Sequence, residues 1–396
     1  MSRIDMLLQD LAPNGVHFKE LGDVGDFIRG SGLPKSALTA DGAPAIHYGQ
    51  IHTYYGTWTR ATKSFTEPAL AARLRRAKPG DLIIATTSED DAAVGKATAW
   101  IGEGEVAVSG DAYIYRHSLD PRYVAYFFQS DQFQGQKKRH ITGTKVRRLS
   151  GDSLKTLRIP VPPIEVQEEI AGVLDHFTEL EAELEAELEA ELEARRRQYA
   201  HYRDQLLAFS ESAERRWVTM PDISTNLDSR RKPVTKAARE AGDYPYYGAS
   251  GVVDYVSNFI FDGDFLLISE DGANLLARST PIAFSISGRT WVNNHAHVLE
   301  FRSYAERRFV EIYLNSMDLS PYVTGGPQPK LNQASLNKIP IPWPSPEEQQ
   351  RIVGILDSCE ALVKSLSEGL SAEFSARRRQ YEYYRNRLLT FEKAVA

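Results

Sequence analysis

At 396 residues the chain exceeds what one hydrophobic core usually supports, so at least two domains are expected. Apolar residues at 42% and charged residues at 25% exclude a disordered tail, a collagen-like rod and a membrane-embedded chain, and the lone Cys359 excludes an internal disulfide or a thiolate zinc site. The formal charge of −6 is unevenly spread: eight glutamates and no Lys or Arg lie between Thr178 and Ala194, and without those eight the charge becomes +2.

Taken in chain order, Arg3, Asp5 and Asp10 stand where a signal peptide would be apolar, so a cytoplasmic location is expected. Short apolar runs bounded by Gly, Asp and Ser predict strands at Leu82–Ala85 and Ala112–Tyr115, and Pro121–Gln129 reads as a helix. Basic clusters at Arg73, Arg75, Arg76 and Lys78, at 137–140, and at Lys145, Arg147 and Arg148 suit phosphate neutralisation, as they suit a solvated surface. A long helix is expected from Ile164, behind Pro162 and Pro163, to Phe209. Inside it, Leu180, Leu184, Leu188 and Leu192 recur every four residues, so the leucine stripe winds about 40° per step instead of holding a fixed seam. Stiffness and solvation account for that composition, but its place in an otherwise duplicated helix reads as a spacer insert.

The second half opens with the basic run Arg230, Arg231 and Lys232, and predicts a strand at Phe265–Ile268 and a helix at Glu306–Asn315. Ser345, Pro346 and Glu348 form a capping box that starts a second long helix running to Phe391. Each long helix has about 46 residues and spans about 70 Å if continuous, so it needs a partner along its length, and an antiparallel pair of the two supplies one.

The chain is written twice. ARRRQYAHYRDQLLAF from Ala194 returns as ARRRQYEYYRNRLLTF from Ala376, and IPVPPIEVQEEIAGVLD from Ile159 as IPIPWPSPEEQQRIVGILD from Ile339. Weaker echoes precede these blocks: GDLIIATTSED and GDFLLISED, RYVAYFFQS and RFVEIYLNS, Thr142-Gly143 and Thr324-Gly325. The expected class is α+β, with two mixed α/β domains joined by two long antiparallel helices in a pseudo-two-fold repeat. The expected divisions are a variable domain over 1–155, a helical spacer over 156–210, a second variable domain over 211–337 and a second spacer over 338–396.

Catalytic signatures are missing. No phosphate-binding loop surrounds Gly95-Lys96, and Pro162-Pro163 lacks the context of an adenine methyltransferase motif. Asp81 with Glu89, and Asp264 with Glu270, lack the lysine of a metal nuclease. His295 and His297 would share one face of a strand but read as ordinary surface or core residues, and Ser109 has no identifiable base. Binding is favoured over catalysis, and no metal or catalytic residue is assigned.

The duplicated IPxP, EQ/QEE, IxxxLD and ARRRQYxxYRxxLL blocks, with the EAEL repeat, resemble the specificity subunit of type I restriction-modification systems over essentially the whole chain. The resemblance implies two target-recognition domains, each reading one half of a bipartite, asymmetric double-stranded DNA site. It also implies helices that dock two methyltransferase subunits, with restriction and translocase subunits joining. The chain itself is then non-catalytic, and S-adenosylmethionine, ATP and Mg belong to the partners.

Polar loop residues are the expected base readers: Lys35, Ser36, Tyr48, Gln50, His52, Tyr54, Thr87, Ser88, Lys96, Thr144 and Lys145 in the first domain. In the second they are Arg230, Arg231, Lys232, Tyr247, Ser250, Asn274, Arg278, Asn293, Gln328 and Lys330. Partner contacts are expected at Leu174, Tyr199, Tyr202, Leu206, Leu356, Tyr381, Tyr384 and Leu388. The competing readings are a subunit of another restriction class, a self-contained DNA-modifying enzyme, and a helical scaffold without a nucleic-acid role.

Overall fold

The computed structural model describes residues 2–208, 216–326 and 328–394. The chain divides into two compact units: Met1–Glu187 with Ser371–Ala396, and Leu188–Leu370. Both are mixed α/β, and each contains part of both long helices.

In the first unit, five strands lie in the order Gly25–Arg29, Ala112–His117, Leu82–Ala85, Ala97–Trp100 and Trp58–Thr59, antiparallel except for the last pair. Leu82–Ala85 is apolar throughout because both its faces are covered. Leu82 and Ile84 join Tyr123, Phe127 and Phe128 of the helix Pro121–Gln129, while Ile83 and Ala85 meet Val106 and Val108 of a second, four-stranded sheet. Asp120 caps that helix, its carboxylate accepting from the backbone N–H groups of Arg122 and Tyr123 at 2.9 and 2.8 Å, with Pro121 in the first turn. Each fully buried phenylalanine here contributes about 1.5–3 kcal/mol.

The second unit repeats the scheme on one six-stranded sheet, ordered Thr225–Asn226, Ala296–Glu300, Phe261–Ser269, Ala283–Val292, Ala241–Gly248 and Gly251–Val256. Leu266 and Ile268 face Phe309 and Val310 of the helix Tyr304–Ser316, whereas Phe265 and Leu267 face Ile286, Val292 and Val298.

The first long helix is described over Ile164–Leu207, and its expected end at Phe209 lies outside the described residues, as does the 210/211 domain division. The second spans Pro346–Leu388, three residues short of the expected Phe391: Leu389 is instead buried in the first unit's core and Lys393 bridges to Val16. Ser345 caps it as expected, its hydroxyl accepting from Glu348 N–H. The helices run antiparallel within the first unit, where the Phe177 and Tyr384 rings stack at 5.8 Å while Leu184 and Arg377 line one groove. In the second unit Tyr199, Leu206 and Leu207 pack on the core that holds Ile352, Val353 and Leu356.

Candidate nucleic-acid interface

The two units share a framework and differ in what it carries. Gln167 Nε2 donates to Pro162 O at 2.7 Å, and Gln349 Nε2 to Pro344 O at 3.0 Å, fixing the first turn of each long helix by the same device. Asp175 accepts from Trp58 Nε1, Tyr126 OH and Arg122 Nη1 at 2.7, 2.7 and 2.8 Å. Asp357 accepts from Tyr304 OH and Arg308 Nε at 2.7 and 2.8 Å. Burial alone would lower the Arg308 guanidinium, but Glu311, Asp357 and Glu360 outweigh it and raise it.

A matched pair of polar loops stands beside each sheet. Thr142 pairs with Arg148, and Thr324 with Lys330, across turns that require glycine: Gly143 has φ +91 and Gly325 φ +96. A Cβ at either position would meet the carbonyl oxygen of Val146 at 2.1 Å or of Gln328 at 2.3 Å. Arg147 and Arg148 then pair with Ser88 and Thr87 as a short antiparallel ribbon, and Lys330 bridges to Asp271.

In the first unit Tyr48, His52, Thr87 and Lys96 of the expected readers lie next to one another. Lys35 acts electrostatically on His47, whose ring lies 4.6 Å from Tyr48, and Tyr48 meets His52 edge-on at 6.4 Å. His52 Nε2 donates to Thr87 O at 3.0 Å, and Lys96 Nζ donates to His52 O at 3.2 Å. Burial lowers both His52 and Lys96, the nearby lysine lowering His52 further. Ser36 is exposed beside Lys35, and Thr144 and Lys145 are exposed in the turn that leads into the Arg147–Arg148 strand. Tyr54 is exposed, with Lys63 Nζ 4.5 Å from its ring centre. Gln50 departs from the expectation: its side chain accepts from His47 N–H and donates to Ser64 Oγ, capping a helix, so its polar atoms are already occupied. Ser109 Oγ accepts from Tyr48 N–H.

The second unit divides its readers differently. Arg230, Lys232, Ser250, Gln328 and Lys330 are exposed, and Arg230 stacks over Phe261 at 4.8 Å. Lys232 borders a cleft of about 540 Å³ with Val234, Arg239, Asn258 and Trp291. Tyr247 lies half-buried beside Phe284, and burial raises its hydroxyl. Arg230 Nη2 donates to Ile260 O at 2.9 Å, Lys330 Nζ lies 3.4 Å from Glu270 Oε1, and four further expected readers have their polar groups engaged elsewhere. Arg231 bonds Glu270 at 2.6 Å and Asp228 at 3.3 Å, all three side chains being largely buried. Asn293 is buried and accepts from His295 N–H, Asn274 closes its own loop onto Thr280, and Arg278 donates to Met317 O.

Sequence reasoning missed the network around Arg231. Donor atoms of Asp228, Glu270 and His297 lie within 4.8 Å of one another, but the Arg231 guanidinium bonds both carboxylates, and the His297 ring nitrogens face Asp228 Oδ2 at 2.6 Å and Leu331 O at 2.8 Å. Burial alone would raise the Asp228 carboxyl; its bonds to His297 and Val298 N–H and the charge of Arg231 hold it below the usual carboxylate range. His295 precedes the strand Ala296–Glu300 and pairs with Asp271, so the two histidines do not share a strand face. Asp81, considered as a metal ligand from sequence, accepts instead from Arg116 and from Lys78 N–H.

On the helices, Leu174 and Leu356 are fully buried in their own cores, which corrects their assignment as partner contacts. Tyr202 is 40% exposed; Tyr199, Leu206, Tyr381, Tyr384 and Leu388 are half-buried. Among the described residues no helix is long and apolar enough to cross a membrane.

Comparison with known proteins agrees with this duplicated architecture. The family model for the type I restriction modification DNA specificity domain matches residues 13–194 and again 218–373. A putative type I restriction enzyme specificity subunit of Haemophilus influenzae is 37% identical over 187 residues, 46% of this chain and about half (48%) of that relative. The EcoR124I/EcoR124II specificity subunit of Escherichia coli is 31% identical over 299 residues, 69% of this chain and 71% of the relative. In fold, the chain is similar to a protein in a structural study of type I complex assembly and conformational transition (TM-score 0.71, 17% identity, 95% and 97% of the two chains covered). It is also similar to the HsdS subunit from Thermoanaerobacter tengcongensis (TM-score 0.57, 17% identity, 95% and 96% covered). The chain belongs to the family of type I restriction-modification DNA specificity subunits.

Proposed function

We propose that this chain reads a bipartite, asymmetric DNA site, one half through each unit, and that the long helices set the gap between the halves. The observation that carries this reading is a framework repeated in both units with different loops. Asp175 and Asp357 tie each domain to its helix in the same way, while Thr142–Arg148 and Thr324–Lys330 occupy equivalent turns with different side chains. Base readout requires different donors and acceptors on a common scaffold. Lys145, Arg148, Arg230 and Lys330 supply cations for phosphates at the same edges.

The exposed parts of the helices, including Tyr202, serve as docking faces for two methyltransferase subunits, with restriction and translocase subunits joining the full cytoplasmic complex. The chain contributes recognition and no catalytic group; S-adenosylmethionine, ATP and Mg act on the partners. The test is methylation sequencing of a host lacking other methyltransferases that carries this chain with its cognate methyltransferase subunit. A two-part motif with a fixed gap is expected. A single undivided motif, or none with an intact complex, overturns the reading.

A further inference from the structure

We propose that Lys137 is a positioning residue for the first half-site: its buried ammonium holds the loop Glu89–Gly95 in the conformation that presents Thr87, Ser88 and Lys96 to DNA. This inference rests on the proposed division of one half-site to each unit.

Lys137 ends the helix Asp131–Lys137 and is only 1% exposed. Its Nζ donates to Ala92 O at 2.7 Å and Val94 O at 2.6 Å. These carbonyls belong to an irregular loop that joins strands Leu82–Ala85 and Ala97–Trp100, closed by Gly95 N–H to Ala85 O and Ala85 N–H to Lys96 O. A Cβ on Gly95, at φ +82, would meet Leu149 at 3.2 Å, the Lys137 stem at 3.6 Å and Phe133 at 3.7 Å, so the loop passes close over the lysine. From the other side Arg147 binds Asp91 at 2.8 Å and donates to Gly143 O. The loop is therefore held by one cation beneath it and another on the ribbon that carries Thr87 and Ser88.

Packing alone does not call for a lysine here. Five residues before the second Thr-Gly pair stands Leu319, fully buried, at the place that Lys137 occupies five residues before the first. Burying an ammonium is costly unless its donors are satisfied, and burial pushes Lys137 down to about 8 against the opposing pull of Asp90 and Asp91. What the cation adds over leucine is a bond to each of two loop carbonyls. The second unit makes the equivalent tie in the opposite direction: Arg278, in the loop after Phe261–Ser269, donates to Met317 O at the end of the helix Tyr304–Ser316. Both domains thus fasten the same loop to the same helical region, each with its own cation.

The test compares Lys137→Leu with the unaltered chain by methylation sequencing in the methyltransferase complex. Discrimination against single mismatches in the first half-site is expected to fall about tenfold, within the range a mismatched base pair usually commands. The second half-site and the gap stay fixed and report an intact complex. Unchanged stringency in the first half overturns the proposal. If Lys137→Leu abolishes methylation altogether, Arg147→Leu decides, because it releases Asp91 from a one-third-exposed position without entering the core. A loosened first half there supports the loop clamp, and an unchanged one overturns it. Loosening confined to the second half overturns the clamp together with the assignment of half-sites, whereas an intact two-part motif with unchanged stringency overturns the clamp alone.

Discussion

Arg122 Nη1 lies 2.8 Å from Asp175 Oδ2, joining the helix Pro121–Gln129 to the first long helix at a point where Trp58 and Tyr126 also donate to the same carboxylate. The second unit repeats this junction with Arg308 and Asp357. Removing Asp175 takes the closest acceptor from three donors: Arg122 keeps Asp120 at 3.4 Å and Tyr126 keeps Thr178 Oγ1 at 3.5 Å, while Trp58 Nε1 loses its bond. Asp175→Ala is expected to cost about 2 kcal/mol. In thermal unfolding that is about 4–8 °C for a unit of this size. An unchanged melting profile would show that the junction carries no net stability.

The turns at Gly143 and Gly325 make a separable pair of perturbations. Gly143→Ala brings a Cβ against Val146 O and imposes an unfavourable φ, at a local cost of about 1–3 kcal/mol. Its effect should fall on the first half of the recognised site, and that of Gly325→Ala on the second. Methylation sequencing reads both at once, and identical effects of the two variants would contradict the prediction.

Lys145 and Arg148 flank the first turn, and both are exposed. If each neutralises one phosphate, either Lys145→Gln or Arg148→Gln should weaken binding uniformly across sequences and reduce the slope of log affinity against log salt by about 1. A fluorescence titration of the complex with duplex DNA at several salt concentrations measures this. An unaltered slope would place these side chains away from the backbone.

His117 provides a pH signature. Burial pushes its imidazole down to about 4 from the ordinary 6.5, with Asp81, the Leu119 backbone and Asp120 opposing. The ring is largely buried and lies 4.8 Å from that of Tyr115. The unfolded chain therefore binds the proton more readily than the folded one between pH 6.5 and 4, and stability falls as pH drops through that window. His117→Phe keeps the aromatic contact and should flatten this part of the stability curve. Parallel curves for the two proteins would contradict the burial argument.

Much of this organisation is legible in the sequence because it is periodic or duplicated. Pro121–Gln129 and Leu82–Ala85 follow from local pattern, and the Ser345 cap from three neighbouring residues. The domain divisions are harder to read, because Val166, Ile170 and Leu174 belong at once to a long helix and to the core beneath Phe127. Individual readers are harder still. Arg231 reads as a basic surface residue until Glu270, 39 positions later, folds against it, and Lys137 reads as part of an exposed basic run until the loop at Ala92 and Val94 closes over it. Such assignments depend on partners remote in sequence, which neither composition nor spacing records.

The central claim is that the domains read the halves and the helix sets the gap. Deleting one four-residue unit, 185–188, removes about 6 Å of helix against about 3.4 Å per base pair. Methylation sequencing of the shortened chain in its complex should reveal both half-sites unchanged and a gap shorter by one or two base pairs. A rewritten half-site, or an unchanged gap in an active complex, would contradict the account.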